Sequence, residues 1–214
     1  MKTITKILLL SLAVVLAAVG IGAMTTPVSA QTDAPEALSE AELSTLLHMA
    51  AEEKLAQDVY LALYEKWGVA TFQRIARSET SHFNRMFQLL EVYGISSELD
   101  KMEAGEYGIP EFNQLYDELV ARGSTSEEDA LKVGGYIEEL DILDLEQAIL
   151  DSTHADVQRA YSRLLMGSTM HLNAFLRGLQ NLTDEEYVPQ VMTPEQLETY
   201  QTARSPMHGP RGRR

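Results

Sequence analysis

Residues 71–93 read TFQRIARSETSHFNRMFQLLEVY, and stepping along them by threes and fours picks out Phe72, Ile75, Glu79, His82, Met86, Leu89 and Tyr93. That spacing is the inward face of an amphipathic helix. The stripe is apolar at both ends and polar in its middle. There Glu79-Thr80-Ser81-His82 sets an acid and an imidazole one turn apart on a single face. Gly94 supplies the stop.

Three more stretches repeat the pattern. Ser39 and Glu42 have the spacing of a capping box, which predicts a helix from about Glu40 to Trp67 with Gly68 as its stop. Its stripe is Leu46, Met49, Glu53, Ala56, Tyr60, Leu63 and Trp67. A helix from Ser126 (or Ser124) to Leu150 carries Leu131, Gly134, Glu138, Asp141, Leu145 and Ala148. After a break at residues 151–153, a further helix ending near Gly178 carries Val157, Tyr161, Leu164, Ser168, His171, Phe175 and Gly178. A short helix is expected over residues 111–122, in a stretch broken by Gly105, Gly108, Pro110 and Gly123, and one more turn over residues 195–200.

The links between the long helices run short, long, short, at about 3, about 32 and about 3 residues. Short links force antiparallel neighbours, and the long one can cross from end to end. The predicted fold is all-α: a four-helix bundle over residues 39–180 with a long crossover between its second and third helices.

Ionised carboxylates inside a dry bundle cost several kcal/mol each unless paired or metal-bound, on the order of 3–5 kcal/mol when a partner is missing. Here four helices each place polar groups near their own midpoints, and so at one height. Glu53, Glu79, Glu138 and Asp141 supply four negative charges, and His82 and His171 bind metal as neutral imidazoles. Two divalent ions would neutralise the set. Oxygen and imidazole donors suit iron or manganese, with zinc as a further option. Glu53 is preferred to Glu52, read as lying on a solvated face, because its row is the apolar one; Glu138 is preferred to Glu139 on the same ground. Tyr60 and Tyr161 are either hydrogen-bonding partners of the ligands or core tyrosines, with Tyr60 the stronger candidate for the first role. His48 reads as a surface residue and His154 as a polar residue opening the last long helix.

These residues carry a resemblance. The chain resembles the ferritin-like superfamily, whose first helix bears Glu with Tyr seven residues on, as Glu53 and Tyr60 do, and whose second bears Glu-x-x-His. More narrowly, Glu52-Glu53-Lys54-Leu55-Ala56-Gln57-Asp58-Val59-Tyr60, Val133-Gly134-Gly135-Tyr136-Ile137-Glu138-Glu139 and Gly167-Ser168-Thr169-Met170-His171-Leu172-Asn173-Ala174-Phe175 are similar to domain-of-unknown-function family 2202. The likeness spans residues 38–179 and implies a ferritin-like fold with bound metal, but no particular reaction. One departure stands out: where the general pattern repeats Glu-x-x-His on the last helix, this chain has Ser168-Thr169-Met170-His171. Asp141 can restore the missing carboxylate, an arrangement similar to rubrerythrin-like proteins.

The chain has 214 residues, no cysteine and a net charge of −15. Lys2 and Lys6, an apolar run from Ile7 to about Ala23, and Val28 with Ala30 fit a signal peptide cleaved after Ala30; the alternative is an uncleaved anchor. Export to the periplasm or the exterior is therefore expected, with no stable membrane span after cleavage. Removing residues 1–30 takes away two lysines and no acid, leaving −17. So acidic a surface repels nucleic acid. Lack of cysteine excludes lipid attachment, thiolate zinc and iron–sulfur centres. Residues 31–38 read as a lead-in and 181–214 as a partly disordered extension carrying Arg204, Arg211, Arg213 and Arg214. Three functions fit: a di-iron or di-manganese oxidoreductase acting on dioxygen or peroxide, a metal-binding or storage protein without turnover, and a structural helical module.

Overall fold

The structure, a computed structural model, describes residues 36–202. The expected signal peptide and the arginine-bearing tail lie outside the described residues. The elements are α1 (Glu40–Trp67), α2 (Ala70–Val92), a single 3-10 turn at Leu99–Lys101, α3 (Pro110–Gly123), α4 (Glu127–Asp151), α5 (Ala155–Thr183) and α6 (Pro194–Thr202). Among the described residues there is no strand, and no helix is long and apolar enough to cross a membrane.

The helix ends follow local chemistry. Ser39 Oγ accepts from Glu42 N while Glu42 Oε2 accepts from Ser39 N, and Gly68 closes α1 with a left-handed φ of 68°. Ser126 caps α4 through Asp129 N. At one place the expectation fails: α5 runs past Gly178 to Thr183 and is stopped by Asp184 at φ 57°. Gly178 instead gives α4 room to come close, since a Cβ there would stand 3.0 Å from Leu131 Cδ2.

The four long helices form a closed ring, with α1 touching α2 and α4, and α5 touching α2 and α4. Contacts at the two ends set the directions. At one end, Glu42 at the start of α1 meets the α4–α5 turn, accepting from Thr153 N at 2.8 Å, and Tyr93 after α2 donates to Asp156 Oδ1 on α5 at 2.9 Å. At the other end, Trp67 closing α1 donates from Nε1 to the Gly123 carbonyl at 2.8 Å, just before α4 begins. All four adjacent pairs are therefore antiparallel, because the connection between α2 and α4 returns along the length of the helices.

That connection also covers α1. Buried Lys54 reaches Asp58 Oδ2 at 2.7 Å and the Glu103 carbonyl at 3.0 Å, and the Tyr107 hydroxyl donates to the same Asp58 oxygen at 3.0 Å. On the other side, α6 packs on α5, and Met192 and Leu197 close a small apolar cluster with Ile142, Leu172 and Leu176. α1 and α4 are thus wrapped on more than one face. Residues 49–56 of α1 are all buried, whereas a two-sided helix would bury about half of them.

Candidate metal centre

The six candidate ligands lie on the inward faces of four helices. Glu53 (α1), Glu79 (α2), Glu138 and Asp141 (α4) are buried, as is His171 (α5), and His82 (α2) is nearly so. Glu79 is the hub: its Oε2 lies 2.7 Å from His82 Nδ1 and its Oε1 lies 2.7 Å from His171 Nδ1. Glu53 Oε2 stands 3.3 Å from His82 Nδ1, and Glu138 Oε1 stands 3.6 Å from His171 Nδ1. The two imidazoles are stacked, their centres 5.5 Å apart. Asp141 joins the cluster beside Ser168, whose fully buried hydroxyl reaches it while also lying 3.0 Å from the Leu164 carbonyl.

The carboxylate–imidazole contacts, unlike those of Ser168, are not aligned as hydrogen bonds. Glu53 Oε1, Glu79 Oε1, His82 Nδ1, Asp141 Oδ1 and His171 Nδ1 are all buried without a hydrogen-bonding partner. One ligand atom each from Glu79, His82 and His171 falls within 4.8 Å of the other two, a grouping able to hold a metal ion.

Electrostatics show the same crowding. Burial, with repulsion from neighbouring acids, drives Glu53, Glu138 and Asp141 above the ordinary carboxylate range; His82 partly offsets this at Glu53, and His171 at Glu138. Burial would also raise Glu79, but His171 and His82 outweigh it and hold that carboxyl low. Both imidazoles are pushed up: burial opposes their charge, and the facing carboxylates overcome it.

The surrounding residues fix the donors. The Tyr60 hydroxyl donates to Glu138 Oε1 at 2.6 Å, and burial keeps the phenol protonated, aided by the charge of Glu138. Tyr161, the other candidate, has no hydrogen-bonding partner and lies instead beside Glu42 in a cavity of about 300 Å³ at the far end. Two glycines permit close packing. A Cβ at Gly167 would stand 2.6 Å from His82 Cε1, and one at Gly134 would stand 2.5 Å from Phe175 Cδ1. Beneath the cluster, the rings of Tyr60, Phe72 and Phe175 pack within 6.1 Å of one another.

Glu138 and not Glu139 faces the cluster. Glu139 is also fully buried but turns outward, accepting from Tyr187 Oη at 2.6 Å and from the backbone N–H of Gln190, Val191 and Met192 at 3.0, 2.6 and 2.7 Å. The preference for Glu53 over Glu52 needs correction in one respect. Glu52 is not on a solvated face but 5% exposed, and burial, followed by repulsion from Asp141, Asp144 and Glu138, holds its carboxyl well above the ordinary range. The periodicity missed it because α1 is buried on several sides. His154, read as an opening polar residue, pairs with Glu42 at 2.8 Å.

Residues 42–204 match the family model described as an uncharacterized protein domain, DUF2202. The uncharacterized protein MJ0754 of Methanocaldococcus jannaschii is 44% identical over 161 residues, covering 75% of this chain and 86% of that protein. The crystal structure of the hypothetical protein MJ0754 superposes with a TM-score of 0.75 at 42% identity, covering 78% of this chain and 95% of that one. By the extent of the family match and its identity to this relative, the chain belongs to the DUF2202 family.

Proposed function

We propose that this chain is an exported, ferritin-like metalloprotein whose buried cluster holds two divalent ions, iron or manganese, through Glu53, Glu79, His82, Glu138, Asp141 and His171. The observation that carries the reading is the set of buried donor atoms from four helices that lack a hydrogen bond, gathered round the Glu79–His82–His171 group. Buried polar atoms without a hydrogen bond are rare in folded proteins, and one left with no partner at all costs about 1–3 kcal/mol. Metal coordination would remove that cost and replace the protons now shared among the acids.

Bound iron or manganese would supply one-electron chemistry with dioxygen or peroxide. The chain's own part is to position donors and exclude water. Tyr60 orients Glu138, Ser168 orients Asp141, and the ring cluster of Tyr60, Phe72 and Phe175 keeps the floor dry. Serine on α5, in place of a carboxylate, would leave a coordination position of a bound ion to a small oxidant.

The test is elemental analysis of the full chain expressed for export, beside a Glu79→Ala/His82→Ala variant. We expect iron or manganese in the first and little in the second; metal near zero in both would overturn the reading. Consumption of dioxygen or peroxide by the reduced, loaded protein then separates a catalyst from a carrier.

A further inference from the structure

A second group of donors lies between α1 and α4, beside Phe112 of the crossover. His48 and Glu52 sit one turn apart on α1 and Asp144 faces them from α4, and one ligand atom from each lies within 4.8 Å of the others. His48 Nε2 is 3.9 Å from Asp144 Oδ2, beyond hydrogen-bonding distance. Two donors sharing an ion at about 2.0–2.2 Å stand roughly 3–4 Å apart, so the gap suits a cation better than a direct bond.

Glu52 supplies the independent observation. Its side chain is more than nine-tenths buried, and its Oε2 has no hydrogen-bonding partner. The neighbouring cation cannot serve it, because Lys54 is held by Asp58 and the Glu103 carbonyl. His48 is held in place by its ring contact with Phe112, at 4.9 Å. His48 and Asp144 are each about half exposed and line an open cavity of about 280 Å³, so an ion there would meet water directly.

We propose that His48, Glu52 and Asp144 form an outer divalent-cation site that holds an exchangeable ion at the surface. Two carboxylates and one imidazole suit manganese, ferrous iron or zinc. Open coordination positions toward solvent make the ion weakly held and quick to exchange. The site shares no ligand with the inner cluster, although Glu52 lies within reach of the charges of Asp141 and Glu138.

The test titrates the full chain with Mn²⁺ alone, following free ion by electron paramagnetic resonance and bound ion by water-proton relaxation. Three proteins are compared: wild type, His48→Ala/Asp144→Asn, and Glu79→Ala/His82→Ala. Asp144→Asn alone serves as a near-isosteric variant that keeps the fold, checked by thermal melting. The outer variants should lose one weakly held ion, its affinity falling about tenfold or more, together with the relaxation enhancement of a water-exposed ion. The inner variant should retain both. Isotherms of the outer variants that superimpose on wild type would overturn the proposal. An inner variant with unchanged metal content counts against the inner cluster and leaves the outer site standing.

Discussion

Glu138 and Glu139 are adjacent in the chain, both buried, and face opposite sides of α4. Glu138 meets Tyr60 and His171 in the cluster, and Glu139 holds the backbone of residues 190–192. The two acids should therefore fail differently. Glu139→Ala strands three buried or partly buried N–H groups and should destabilise the protein by about 3 kcal/mol, with metal content retained. Glu138→Gln removes one charge from a crowded set and should lower metal content while leaving the metal-free protein at least as stable as wild type. Urea unfolding with and without chelator checks both.

The close approach of His82 to α5 makes Gly167 a sensitive position. A methyl group there must displace the imidazole, so Gly167→Ala should weaken metal binding about tenfold or more while the protein remains folded. Gly134→Ala meets the fully buried Phe175 ring instead and should cost about 1–3 kcal/mol of stability. Metal titration and thermal melting, measured on both variants, should show the two effects separately.

Ser168 acts through Asp141. Ser168→Ala keeps the packing volume nearly intact but frees the carboxylate, and metal affinity should fall about 10–100-fold. Ser168→Thr, which keeps the hydroxyl, should recover part of that loss. An affinity for Ser168→Ala equal to wild type would show that Asp141 needs no such support.

The Glu42–His154 pair at the far end gives a pH dependence unconnected with metal. Burial opposes the charge of Glu42, but His154, Thr153 N and Ser39 hold its carboxyl below the ordinary 4.5. The hydrogen bond to Glu42 raises His154 above its ordinary 6.5, against a smaller opposing effect of burial. Stability from Glu42 is present above pH 4.5 and lost as pH falls through its lowered folded value. Stability from His154 is complete below pH 6.5 and lost as pH rises through its raised folded value. The pair matters most between those limits, so His154→Ala should destabilise more at about pH 5.5 than at about pH 9. Urea midpoints at the two pH values test this, and equal losses would discount the ion pair.

Periodicity and capping residues determined the long helices, most of their ends and the row of polar residues at mid-height, because a helix buries whatever recurs every three to four positions. They placed Glu53, Glu79, His82, Glu138, Asp141 and His171 on inward faces without any knowledge of partners. Only the tertiary structure decided what lies on the remaining faces. Glu52 is buried because the crossover and α4 enclose α1, and Glu139 is buried because residues 187–192 fold back over α4. Gly178 reads locally as a stop, yet α5 continues through it, since packing against Leu131 outweighs the modest preference of glycine for helix ends. Local spacing specifies one face of a helix; the others are specified by chain segments far away in sequence.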